Sequence, residues 1–203
     1  MSEADPSVPR PRTGRQRSTT VTELSHIGLA LFIENGFDAT TVDDIATAAG
    51  IGRRTFFRYF SSKNDLPWGE FEDLLDSMRD YLASVPPEVP LIDALHAAVI
   101  EFNAFPDEEI EYHRQRMTLL LNVPSLVAHS TLRYASWRQV IAEYAAERLG
   151  LSADDLEPQT LGWALLSLSL SAYEQWLRHD DADLATLIDA AFAVFERHQL
   201  RRD

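Results

Sequence analysis

Ahead of three successive segments the chain places a hydroxyl side chain three positions before an acid: Thr20 and Glu23, Thr41 and Asp44, Ser62 and Asp65. In a helix start, the hydroxyl accepts from the third backbone N–H while the acid reaches back to the cap N–H, so each pair predicts an N-terminus. Behind the first, Val21, Leu24, Gly28, Leu31 and Phe32 share one helical face until Asn35-Gly36 stops it. Behind the second, Val42, Ile45, Ala46 and Ala49 do the same until Gly50. The turn Gly50-Ile51-Gly52 opens a third helix over 53–60, and Ser62 is expected to cap a long fourth one reaching Val85, with Pro67 bending its first turn. Pro86-Pro87 ends it, and further helices are predicted over 90–104, 106–122, 124–149, 158–179 and 183–199. No stretch alternates with the period of a strand. The expected fold is therefore all-α, with about nine helices: a small three-helix head at 19–66 and a larger helical bundle at 67–203.

Charge divides the chain in the same place. The net charge is −14, which for a whole surface would repel a polyanion. Yet residues 1–63 hold eight basic and seven acidic side chains, whereas residues 64–203 hold ten basic and 25 acidic. Residues 1–18 combine three prolines with Arg10, Arg12, Arg15 and Arg17 and almost nothing apolar, so they are expected to be a disordered basic arm, either tracking a DNA minor groove or only aiding solubility. There is no cysteine, and no apolar run approaches the ~18 residues of a membrane span, so a cytoplasmic protein without membrane contact is expected. Six scattered histidines without paired-ligand spacing offer neither a metal site nor a catalytic set. No enzyme activity and no cofactor are expected.

Three short helices with a tight glycine turn before the third have the form of a helix-turn-helix, whose last helix enters the major groove. Here that helix starts with Arg53 and Arg54, against the helix dipole, behind a glycine cap. Such a costly arrangement makes sense if the arginines, with Thr55 beside them, read base edges. The segment "TTVDDIATAAGIGRRTFFRYFSSKNDL", preceded by "ALFIENGFDAT", resembles the DNA-binding signature of the TetR family of bacterial transcriptional regulators. The resemblance implies phosphate contacts by Thr41, Arg58, Tyr59 and Lys63. Phe57 stands where the family usually has tyrosine, so only an apolar contact is expected there. Double-stranded DNA is the implied partner.

The acidic half supports less. His113, Arg116, Met117 and Leu120 recur at helical spacing on one segment, and Arg133, Tyr134, Trp137 and Arg138 on the next; with Trp163 they suit either an apolar chamber with a cationic rim for an amphipathic anion, or ordinary core packing with surface ion pairs. "PQTLGWALLSLSLSAYEQWL" is apolar nearly all round and must be covered on several sides. The family dimerises through its last two long helices, which implies a homodimer using Leu170, Tyr173, Leu177, Leu184, Leu187, Phe192 and Phe195; the same stripes would equally fill a monomer core. A narrower resemblance, over 52–71 and 112–150, is to the actinobacterial branch that includes mycofactocin-cluster regulators, whose ligands are acyl-CoA-like. It implies a long-chain acyl-CoA effector with Arg114, Arg116, Arg133 or Arg138 near its phosphates. A repressor released by such an effector is the expected function, the alternatives being a constitutive DNA-binding protein or a regulator of drug efflux.

Overall fold

The structure is a computed structural model that describes residues 20–199. The basic arm and the last four residues lie outside the described residues, as do the side chains of 195, 196, 198 and 199. Nine α-helices and one short 3-10 turn make up the described residues, with no strand: α1 Val21–Asn35, α2 Val42–Ala48, α3 Arg53–Tyr59, the 3-10 turn Leu66–Trp68, α4 Phe71–Ser84, α5 Leu91–Phe102, α6 Asp107–Asn122, α7 Pro124–Leu149, α8 Leu156–Arg178 and α9 Leu184–Gln199.

Two of the three hydroxyl–acid pairs close as reciprocal caps. Thr20 Oγ1 accepts from the Glu23 N–H at 3.0 Å and Glu23 Oε2 from the Thr20 N–H at 3.1 Å; Thr41 and Asp44 repeat this at 3.2 and 2.9 Å. The third pair forms but starts no α-helix. The Asp65 carboxylate accepts from the Ser62 N–H and hydroxyl, both at 3.0 Å, and turns lead into the 3-10 segment. Pro67 cannot donate to a ladder, and Gly69 at φ +53° ends the segment in a conformation that side chains disfavour, so α4 begins only at Phe71. The expected fourth helix from 62 to 85 is thus broken at its first turns.

That break places Leu66 in the head and Trp68 in the body. Leu66 is fully buried with Leu24, Leu29, Ile45 and Phe56, and the Ser25 hydroxyl donates to its carbonyl at 3.2 Å. Leu66 sits in a notch on α1 made by Gly28, where an added Cβ would lie 2.4 Å from Leu66 Cδ1. In the body α7 and α8 approach closely at Gly162, where a Cβ would lie 3.0 Å from the Arg138 carbonyl oxygen.

Three of the seven residues expected at a dimer interface turn inward. Tyr173, Leu184 and Phe192 are buried in the protomer's own core, alongside Trp176 and Ile188, so they present nothing to a second copy. Leu170, Leu177 and Leu187 are half-buried against the same core. The side chain of Phe195 lies outside the described residues. The outward stripe of α8 is instead Trp163, Ser167, Ser171 and Glu174. No helix among the described residues is long and apolar enough to cross a membrane.

Gly28→Ala tests the notch. Alanine brings about 1 kcal/mol of helix propensity, but Leu66 is sealed on all sides and cannot swing away, an overlap worth ~1–3 kcal/mol. A net loss of up to about 2 kcal/mol is expected, visible as a lower urea midpoint at unchanged slope.

Candidate functional site

The first site is the exposed turn that opens α3. Gly52 caps it with no side-chain hydrogen bond, at an ordinary φ of −84° and with open space where a Cβ would stand. Nothing within the chain requires glycine there. Arg53 NH1 donates to Asp43 Oδ2 of α2 at 2.8 Å, both side chains well exposed, and its guanidinium lies 5.4 Å from the Phe57 ring centroid. Asp43 therefore offsets the dipole penalty of one arginine. An exposed pair of this kind contributes ~0–1 kcal/mol, little enough for DNA to displace. Arg54 is exposed and makes no hydrogen bond or ion pair among the described residues, whereas Thr55 is half-buried. Phe57 is 44% exposed, and Arg58 donates to the Tyr59 hydroxyl at 3.1 Å. The Thr41 hydroxyl donates to Asp44 at 2.7 Å, inside the cap.

Lys63 departs from its expected role as a phosphate contact at a helix N-terminus. Its ammonium donates to the carbonyls of Phe37, Thr40 and Asp38 at 2.7, 2.9 and 3.4 Å and stands 4.4 Å from the Phe37 ring centroid. All three donors are consumed holding the α1–α2 corner, and no helix starts at Lys63 to lend it free N–H groups.

The second site is a cavity of about 70 Å³ between α4, α5, α6, α7, α8 and the 3-10 turn. Of the nine predicted pocket residues, His113, Arg116, Met117, Leu120, Tyr134 and Trp137 line it. Arg133, Arg138 and Trp163 do not. Tyr134 and Trp137 share the inward face of α7, and Arg133 and Arg138 flank that face. Arg133 NH1 pairs with Glu72 at 2.5 Å and NH2 with Asp65 at 3.4 Å; Arg138 lies 3.4 Å from the centroid of the Trp163 ring, which is itself 55% exposed. Arg114 is committed to the α8 C-terminus, donating to the Trp176 and His179 carbonyls at 2.8 and 3.0 Å.

Inside the cavity one directional chain orders the polar groups. Arg116 NH1 lies 3.5 Å from His113 Nδ1, His113 Nε2 is 2.7 Å from the Tyr173 hydroxyl, Tyr173 donates to Asn103 Oδ1, and Asn103 Nδ2 donates to the Val99 carbonyl at 2.7 Å. Because Tyr173 donates onward, His113 must donate from Nε2 and leave Nδ1 as the acceptor facing Arg116. Burial, then the neighbouring Arg116 charge, lowers the His113 pKa to about 3. Burial likewise pushes the Tyr173 phenol up and Arg116 down from their ordinary values. Arg116 keeps its charge all the same, and no carboxylate pairs with it within salt-bridge distance. Three of these participants escaped the sequence reading: Trp68, Asn103 and the inward role of Tyr173. His113 and Tyr173 are 60 residues apart, a separation no local period encodes.

A helix-turn-helix head carried on an all-helical body with an internal cavity defines a DNA-binding transcriptional regulator. Residues 27–66 match the family of bacterial regulatory proteins, tetR family, and residues 89–199 match the MftR C-terminal domain. Over 183 residues the chain is 46% identical to a Mycobacterium tuberculosis protein named as the mycofactocin biosynthesis transcriptional regulator MftR, covering 90% of this chain and 92% of that one. It is 27% identical to the HTH-type transcriptional regulator TcmR of Streptomyces glaucescens, over 85% of this chain and 80% of that one. Thermus thermophilus FadR, a TetR-family repressor crystallised with lauroyl-CoA, shares the fold at a TM-score of 0.59 and 21% identity, over 90% of this chain and 96% of that one. The chain belongs to the TetR family, whose members are transcriptional regulators and not enzymes.

His113 gives the cavity a pH signature. In the unfolded chain it takes up a proton below about 6.5, but in the folded one only near 3. Its contribution is therefore full above pH 6.5 and lost progressively as pH falls toward 3, at up to about 1.4 kcal/mol per pH unit. His113→Gln is expected to flatten the fall in unfolding free energy between pH 6.5 and 4.5 by one proton's worth in urea titrations.

Proposed function

We propose that this chain is a ligand-responsive repressor acting as a two-fold dimer: residues 19–66 grip one half of a palindromic operator, and residues 67–203 bind the partner copy and an amphipathic effector. A long-chain acyl-CoA is the first candidate effector. The observation that carries the reading is Arg116, a cation drawn into an apolar cavity, which feels Glu109 of the same helix but makes no direct salt bridge among the described residues. Burying an unpaired charge is expensive, so a fold that keeps one is poised for a ligand that supplies the counter-charge or an acceptor. The lauroyl-CoA held by Thermus thermophilus FadR, on the same fold, supports an acyl chain as the apolar part.

At about 70 Å³ the cavity is well below the ~300–1,000 Å³ usual for ligand pockets, so an acyl chain enters only by displacing wall side chains. One of those is Trp68. It shares the three-residue 3-10 turn with Leu66, which is seated in the Gly28 notch of α1, so pushing the indole outward strains the seat of the head. The next residue out, Asp65, accepts from His129 Nε2 at 2.8 Å and from Arg133, both on α7. DNA affinity then falls by the ratio of the effector's affinities for the two arrangements. For dimerisation, the outward residues Ser167 and Ser171 on α8 with Ala190 and Val194 on α9 are small enough for helices of two copies to approach closely, and the exposed Trp163 ring on the same stripe of α8 supplies apolar area.

In the DNA contact, Arg54 is the base reader with a free guanidinium, and Arg53 exchanges Asp43 for the operator. Fluorescence anisotropy with an operator fragment selected from a random duplex library tests the reading. Arg54→Ala should bind that operator roughly ten- to a hundredfold more weakly while its affinity for scrambled DNA changes little. Micromolar dodecanoyl-CoA or oleoyl-CoA should release the wild-type complex. Equal affinities of Arg54→Ala and wild type would remove Arg54 from the base contacts, and a complex indifferent to every acyl-CoA would remove that effector class.

A further inference from the structure

We infer that the cavity recognises its ligand through an oxygen acceptor brought inside the protein, bound by three donors that the folded chain leaves unsatisfied: Trp68 Nε1–H, Arg116 Nε–H and Tyr134 O–H. This rests on the effector reading above and adds what part of the ligand enters and what holds it. The three atoms are buried and have no hydrogen-bond partner, and all three side chains line the one cavity. The Tyr134 hydroxyl lies near the Ser130 hydroxyl, which itself donates to the Leu126 carbonyl at 2.8 Å, but makes no hydrogen bond of normal geometry. The Trp68 and Tyr134 rings meet edge to face with centroids 5.7 Å apart, so two of the donor-bearing side chains are in contact.

Most of the cavity's acceptors, by contrast, are already used. Asn103 Oδ1 takes the Tyr173 hydroxyl, the Tyr173 oxygen takes His113 Nε2–H, and His113 Nδ1 faces Arg116. The Ser169 hydroxyl donates to the Leu165 carbonyl at 2.9 Å. None of the lining side chains is a carboxylate. What remains open in an otherwise apolar wall is therefore three donors, one of them cationic, and the lone pairs of the Tyr134 oxygen. The complementary group is an oxygen acceptor on an apolar chain: a carboxylate, or the carbonyl of an acyl thioester. Water can meet these donors in the resting protein, and a ligand oxygen replaces it. A cationic head group is disfavoured, because it would face the Arg116 charge with no carboxylate in the cavity lining to offset it.

Isothermal titration of the full chain with three ligands of one chain length distinguishes the sources: dodecanoate, dodecanoyl-CoA and dodecylammonium, each below its micellar concentration. Binding of dodecanoate, of dodecanoyl-CoA or of both, with dodecylammonium at least tenfold weaker, is the expected result. Trp68→Phe and Tyr134→Phe, which remove one donor each and keep the ring, should each weaken the bound ligand about tenfold or more. Dodecanoate binding identifies the carboxylate; dodecanoyl-CoA alone identifies the thioester carbonyl. Dodecylammonium binding as tightly as the acceptor ligands overturns the inference and needs no variant to fold. Unchanged affinity in both phenylalanine variants, with unaltered circular dichroism, overturns it as well and leaves the effector reading standing. If none of the three ligands binds, both fall together.

Discussion

An unpaired guanidinium inside the body sets the terms for the helices around it. Arg116 feels the Glu109 carboxylate but makes no direct salt bridge among the described residues, so the polar groups beside it present lone pairs and avoid adding charge. That requirement keeps His113 neutral, settles which of its nitrogens carries the proton, and orients Tyr173 and Asn103 in turn. The chain runs from α6 through α8 to α5 and ends on a helix carbonyl, so one electrostatic constraint ties three helices in a single arrangement. Phe105 stacked on His113 at 3.9 Å and Trp176 beneath it close the apolar sides. A ligand oxygen reaching Arg116 relieves the same constraint, so the group that makes the cavity costly to keep empty is the one that makes it responsive.

The head joins this assembly through few residues. Its ties are the 3-10 turn, the Asp65 carboxylate shared between Ser62 and α7, and His26 of α1, which lies 3.1 Å from Glu109 and stacks on Tyr112 of α6 at 3.7 Å. Glu109 and Tyr112 are one turn from His113 and Arg116 on the same helix. α6 therefore touches the head with one end of a face whose next turn enters the cavity. A displacement of α6 or of Trp68 that is small within the body is felt at α1 with no long relay between them.

How much of this was legible follows from which forces act locally. Caps act within four residues, so Thr20-Glu23 and Thr41-Asp44 announced α1 and α2 correctly. Ser62-Asp65 has the same spelling but closes only the bond from the Ser62 N–H to the carboxylate, Pro67 and Gly69 interrupt the ladder soon after, and the expected long helix is lost. Periodicity shows how wide an apolar stripe is, not which neighbour covers it. Hence α8 and α9 were read as interface where Tyr173, Leu184 and Phe192 are core. In the cavity, His113, Arg116, Tyr134 and Trp137 were legible because they repeat along α6 and α7, while Trp68 and Asn103 come from connecting segments and carry no period. Lys63 shows the reverse error: a lone cation near DNA-binding residues invites a phosphate role, and only the three carbonyls at its ammonium reveal a structural one.

The charge balance makes the geometry of the two heads decisive. Among the described residues of the head the cations are Arg53, Arg54, Arg58 and Lys63, and Lys63 is consumed internally. Residues 64–203 carry a large excess of acid, so DNA is repelled from every approach except the one led by α3. Apart from the four arginines of residues 10–17, a single head thus has little sequence-independent attraction to draw on. Tight binding must come from base contacts and from two heads engaging at once, where the second gains from effective concentration only if its spacing fits the duplex. For such a protein an effector need not unfold or cover the α3 surface. In the proposed dimer, tilting α1 by loosening Leu66 in its notch would misplace one head relative to the other, and the shared advantage would disappear while each head stays folded.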